Sequence, residues 1–73
     1  MSDLVGQIIA YEEGDLSNAE MLDMFSELVK SGQVWNLQGH YGRTANALIE
    51  SAILTPLGEI TQYGHELLEQ EAS

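Results

Sequence analysis

The sequence predicts a mainly α-helical fold: a compact bundle of about four helices, with a short wing-like β-hairpin before the last one. Three observations carry this. Apolar residues recur at three- and four-residue spacing over most of the chain. Serine and threonine stand where helices would begin, and glycine where they would end. One stretch, residues 53–61, breaks the helical spacing and holds Pro56-Leu57-Gly58 between two β-compatible runs.

The first helix is expected over residues 3–12. Leu4, Val5, Ile8 and Ile9 form its apolar stripe, Asp3 suits its N-terminal dipole, and Gly14 is its stop. Ser17-Asn18-Ala19-Glu20 has the form of a capping box. A second helix then runs over about residues 18–31 and ends at Gly32. Its buried face is Met21, Leu22, Phe25, Leu28 and Val29; Glu20, Asp23 and Glu27 make a narrow stripe on the opposite side.

Residues 33–38 read as one helical turn carrying Val34, Trp35 and Leu37. Gly39-His40-Tyr41-Gly42 interrupts the pattern, and a helix resumes to about residue 52. Tyr41, Ala45, Leu48, Ile49 and Ala52 share one side of it. Ile53-Leu54-Thr55 and Glu59-Ile60-Thr61 are the two arms of the expected hairpin. Thr61 caps a last helix to about residue 70, with Tyr63, Leu67 and Leu68 facing inward and the last three residues frayed.

Seventy-three residues form one domain, spanning the chain, with a thin core. There is no cysteine, hence no disulfide and no thiolate for metal binding or catalysis. No apolar run is long enough to span a bilayer, and the first residues do not read as a secretory signal, so a cytoplasmic location is expected.

Twelve acidic residues face two basic ones, a net charge of −10. That field repels nucleic acid and anionic membranes, and it favours basic partners or serves solubility. Seven acids lie in residues 1–31, only Glu50 between Gly32 and Gly58, and four from Glu59 onward. Glu12, Glu13, Asp15, Glu20, Asp23 and Glu27 are the candidate acidic face. Its alternative reading is a solvated helix surface.

The acid-poor middle concentrates Trp35, Gln38, His40, Tyr41, Arg43 and Asn46, which are the candidate partner-binding residues. Trp, Tyr and Arg anchor interfaces because each joins a large contact area to a polar handle. Trp35 and Tyr41 fit core positions equally well, and Arg43 fits a tie between helices. Gly39-x-x-Gly42 has the form of a nucleic-acid-clamping G-x-x-G loop, but its acidic setting favours a tight helix–helix corner. His40 and His65 have no carboxylate at ligand spacing and read as surface histidines. No nucleophile elbow, HExxH, phosphate loop or EF-hand occurs, so neither enzymatic activity nor a metal or cofactor is expected.

Residues 44–68, a helix leading into a hairpin and then a Thr-x-x-Gly helix start, resemble the tail of a winged-helix domain. DNA binding by that family needs bases on the helix before the wing, where this chain has Arg43, Asn46 and Glu50. The segment Trp35-Asn36-Leu37-Gln38-Gly39-His40-Tyr41-Gly42-Arg43-Thr44-Ala45, followed by Leu48-Ile49-Glu50, is similar to a group of small acidic proteins of tailed bacteriophages. These share a W-x-L-Q-G-x-Y-G-R pattern after an acidic helix, and the likeness covers roughly residues 5–53. Glycine is common after the Leu-Ile-Glu-Ser stretch of that pattern; this chain has Ala52.

The resemblance assigns no residue a role. It implies a phage protein in the host bacterial cytoplasm, of a class whose members bind host proteins such as nucleic-acid-binding enzymes or defence complexes. The leading expectation is a protein-binding modulator that inhibits or redirects a host macromolecule. The alternatives are a nucleic-acid mimic, a winged-helix-like transcription regulator, and an assembly subunit or homo-oligomer.

Overall fold

The computed structural model describes residues 4–37 and 39–72. Asp3, Gln38 and Ser73 lie outside the described residues, as do the side chains of Leu4 and Ala72. The chain order is α1 (Leu4–Glu12), α2 (Asn18–Ser31), a 3-10 turn (Gln33–Asn36), α3 (Gly39–Glu50) and α4 (Gln62–Ala72).

Helix α2 is the axis of the fold. Ser17 caps it: its Oγ accepts from the Glu20 N–H at 3.2 Å, and Glu20 Oε1 accepts from the Ser17 N–H at 3.1 Å. The hydrogen bond to the Ser17 backbone, then that to its side chain, holds the Glu20 carboxyl below its ordinary value. Its folded value lies below the unfolded one, so this stabilisation is present above the usual carboxylate range and fades as pH falls through the folded value. At the other end Gly32 adopts φ +79° and its N–H bonds Val29 O at 3.1 Å.

Leu22, Phe25, Leu28 and Val29 are buried as expected, but Met24 and Ser26 are buried too. The core therefore wraps most of α2. The strip left exposed on its outer side is Glu20, Asp23, Glu27 and Lys30, spaced by three or four residues.

The expected stripe of α1 is corrected. Ile8 and Tyr11 pack on the core, while Val5 and Ile9 are exposed at 69% and 53%. Helix α1 is apolar on nearly every side, so periodicity alone does not set its rotation.

The expected break at residues 39–42 is also corrected, since Gly39 and Gly42 both lie in the first turn of α3. The pair is not a helix–helix corner. Tyr41 and Ala45 are buried, and Leu48 and Ile49 pack partly on the core.

Ala52 does not join that side. It is exposed with φ +63°. Its N–H bonds Ile49 O at 3.0 Å, and the Ile53 N–H bonds Leu48 O at 2.9 Å. Helix α1 ends in the same way, with Gly14 N–H to Tyr11 O at 3.0 Å and Asp15 N–H to Ala10 O at 2.8 Å. Both are left-handed terminations that favour glycine, and only α3 puts a Cβ there. Ala52→Gly is therefore expected to stabilise the protein by about 0.5–1 kcal/mol. Thermal denaturation should show a rise of roughly 2–8 °C; an unchanged or lower midpoint rules out strain at this position.

The expected hairpin reduces to one antiparallel bridge, Leu54 to Ile60. The turn is where the sequence places it. Thr55 N–H bonds Glu59 O at 2.8 Å, Gly58 N–H bonds Thr55 O at 2.9 Å and Thr61 N–H bonds Ile53 O at 3.0 Å. Two short arms with no third strand do not make a sheet; Leu54 is instead buried in the helical core. The wing of the winged-helix comparison is thus absent among the described residues. Thr61 does cap α4, accepting from the Gly64 N–H at 3.0 Å. Tyr63, expected inward, is 50% exposed, whereas Leu67 and Leu68 are half-buried.

Candidate interaction surface

The dense segment from Trp35 to Asn46 splits three ways. Tyr41 is a core residue, 3% exposed, and is corrected from a contact role. Its ring packs 6.1 Å from Phe25 and 5.6 Å from Tyr11. His40 is exposed and lies over this cluster, its ring centroid 4.1 Å from Tyr41 and nearly parallel to Tyr11 at 6.5 Å. Gln38 falls outside the described residues.

Trp35, Arg43 and Asn46 form the third part. Trp35 is 52% exposed although it follows a buried Val34. Its ring rests on α3, with Cε3 3.7 Å from where a Cβ on Gly42 would lie. Arg43 folds back along the same helix, its Nη2 3.5 Å from the corresponding position on Gly39. At about 100° per residue, Gly42, Asn46, Gly39 and Arg43 occupy one contiguous flank of α3, turned away from Tyr41 and Ala45. His40 lies further round, on the side of α1. An indole, an amide and a guanidinium thus share one exposed flank that offers apolar area and hydrogen-bond donors together.

The Tyr41 hydroxyl is buried with no hydrogen-bond partner. Burial first, then the charge of Glu12, then Tyr11 and a weaker side-chain interaction with Glu12, push its ionisation above the ordinary value of 10.0. Its folded value exceeds the unfolded one. Stability from keeping it neutral is complete below about pH 10 and is lost as pH rises through the folded value. Tyr41→Phe is expected to leave stability unchanged or raise it by about 1 kcal/mol, because an unpaired polar group leaves the core. The variant should also lose less stability between pH 9 and pH 11 (about one unit either side of the unfolded value). Denaturant titrations at both pH values check this, and a destabilised Tyr41→Phe would mean the hydroxyl is satisfied.

Glu12, Glu13, Asp15, Glu20, Asp23 and Glu27 are all exposed. They do not make a uniform face. Asp23 and Glu27 border a polar depression of about 580 Å³ that also takes in Lys30, Glu59 and His65. Glu20 is engaged in its cap. Among the described residues no three His, Asp or Glu side chains are placed to hold a metal ion, and no helix is long and apolar enough to cross a membrane.

The fold and this surface define a small, acidic, helical domain. The chain belongs to the family described as Domain of unknown function (DUF7417), whose pattern matches residues 1–72. No curated protein and no solved structure matches it.

Proposed function

We propose that the protein is a protein-binding modulator of phage type, acting in a bacterial cytoplasm, that docks on a host protein and occludes or redirects its surface. One observation carries the reading: Trp35 stands half-exposed against α3 beside Arg43 and Asn46. A tryptophan that could have been buried in so small a core is instead exposed on the helix flank that also carries Arg43, and Trp and Arg are residue types enriched at interface hot spots. Trp35 supplies apolar contact and Arg43 a charge-assisted hydrogen bond, while the acidic helices orient and speed the encounter.

Affinity capture from bacterial lysate tests this with wild type, Trp35→Ala and a Glu20/Asp23/Glu27→Lys variant, each first shown by circular dichroism to be folded. One host protein retained by wild type and lost with Trp35→Ala supports docking through this flank. The exposure of Glu12, Glu13, Asp15, Glu20, Asp23 and Glu27 favours a second reading, a nucleic-acid mimic. In that case retention survives Trp35→Ala and disappears with charge reversal or moderate salt. Retention of nothing by any of the three removes both readings.

A further inference from the structure

Helix α4 is fastened to the domain near its two ends and only thinly between them. Its start is pinned through backbone groups. The Thr61 N–H bonds Ile53 O at 3.0 Å; the Thr61 hydroxyl lies 3.1 Å from the same oxygen and accepts from the Gly64 N–H at 3.0 Å. A Cβ on Gly64 would lie 2.7 Å from Ile53 O and 3.0 Å from Ile60 Cγ2, so this first turn is drawn tightly onto the 53–60 segment. Near the other end, the Asn18 side-chain amide donates to the Glu71 carboxylate and ties α4 to the first residue of α2.

Between these ties the packing is sparse. Gly64 is the only buried residue of α4 among the described ones, whereas α2 buries six. Leu67 and Leu68 are half-buried over an open groove of about 360 Å³ that also takes in Leu22, Leu48 and Ile53. The helix itself does not make up for this. Eleven residues are too few for a helix to persist alone in water. Glu69 and Glu71 stand in its last turn, where the dipole disfavours carboxylates, and no base stands there with them. Helix α4 therefore holds only while it is docked, and few apolar contacts dock it.

We propose that α4 is a strap that opens as a unit. The turn at Thr61 to Gly64 is its pivot, the Asn18–Glu71 bond is its latch, and the helix beyond Gly64 swings away and unwinds. Closed, it covers Leu22, Leu48 and Ile53. Open, it bares them while the core around Phe25 stays folded. The device is separate from the α3 flank and does not involve Trp35.

Native-state hydrogen exchange of the ¹⁵N-labelled full chain at low urea tests this. The amides of residues 66–70 should exchange together, about a hundredfold faster than those of Phe25 and Leu28. Their rates should rise in step with urea, because opening exposes the apolar groove. Asn18→Ala and Glu71→Ala should each speed residues 66–70 by about 2–10-fold and leave Phe25 and Leu28 unchanged. Alanine favours either helix at these exposed positions, so the loss of protection falls on the latch and not on helix propensity. The chain has no cysteine. An Asn18→Cys/Glu71→Cys pair joined by a short bifunctional thiol reagent should therefore lock the strap and slow residues 66–70 to the rate of Phe25. Protection of residues 66–70 equal to that of Phe25 in the unlinked protein would overturn the proposal. So would rates graded from residue 70 back to 66 with no common opening, indifference to both latch variants, equal acceleration at Phe25 and Leu28, or no slowing on cross-linking.

Discussion

Phe25→Ala should cost about 3–5 kcal/mol, a large share of the stability of the whole domain. A domain of this length has roughly 4–11 kcal/mol of stability in total. Phe25 is fully buried and sits where three elements meet. Tyr11 from α1 meets it edge-on at 5.6 Å, and Tyr41 from α3 lies at 6.1 Å. Removing the ring forfeits its transfer energy, leaves a cavity that two rigid rings cannot close, and loses the aromatic contacts, worth about 0.5–1.5 kcal/mol per pair. Urea denaturation followed by Trp35 fluorescence and circular dichroism measures the loss. Phe25→Leu, which keeps most of the volume, should cost only about 1–2 kcal/mol and stay cooperative. A Phe25→Ala protein within about 1 kcal/mol of wild type would mean that this ring is not at the centre of the core.

The same cluster shows what was legible in the sequence and what was not. Helix α2 was readable from end to end because its signals are local: a reciprocal serine–glutamate cap, a phased apolar face and a terminal glycine. Met24 was missed because α2 is covered on more than one side, and a single-stripe reading has no place for it. Helix α1 exists where expected, but its rotation was not legible; Val5, Ile8 and Ile9 are interchangeable to periodicity, and tertiary contact chooses Ile8 and Tyr11. The start of α3 was misread because two glycines in four residues look like a break. What overrides their poor propensity is tertiary: Tyr41 is anchored in the core, and Trp35 lies on Gly42.

For the candidate surface, the sequence left Tyr41 between a contact role and a core role, and its helical phase favoured the core. Tyr41 is in phase with Ala45 and Leu48 at four and seven residues, which marks it as inward-facing. Trp35 belongs to no long helix, so no period could place it, and its exposure came only with the structure. The groove beside α4 was illegible for a similar reason. Leu67 and Leu68 read as core residues, and nothing in their spacing tells that their neighbours stop short of covering them. The turn at residues 56–58 was legible from Pro and Gly; the substitution of helical packing for a sheet was not, since it depends on what lies beneath the turn.

What lies beneath it is the backbone of α2, and this makes Gly58→Ala the second large effect. Gly58 has φ +98°, outside the range L side chains favour. A Cβ there would stand 2.8 Å from Ser26 O, 2.8 Å from Lys30 N and 2.8 Å from Lys30 Cγ. Two of these atoms are helix backbone and cannot yield, so the turn itself must lift. The conformational penalty is about 1–2 kcal/mol and the forced separation about 1–3 kcal/mol, so a loss of about 2–5 kcal/mol is expected. Lifting also breaks the buried hydrogen bond that the Ser26 hydroxyl donates to Gly58 O. Ser26→Ala alone should cost about 1–2 kcal/mol, because it leaves that carbonyl buried without its partner. The double variant then separates geometry from sum. If Gly58→Ala has already pulled the turn off α2, Ser26→Ala adds little on top of it, and the pair costs less than the two single losses together. Full additivity in a denaturant titration would mean that the turn stays seated and relieves the added methyl within the loop. A neutral Gly58→Ala would mean that residues 55–59 are not held against α2 at all.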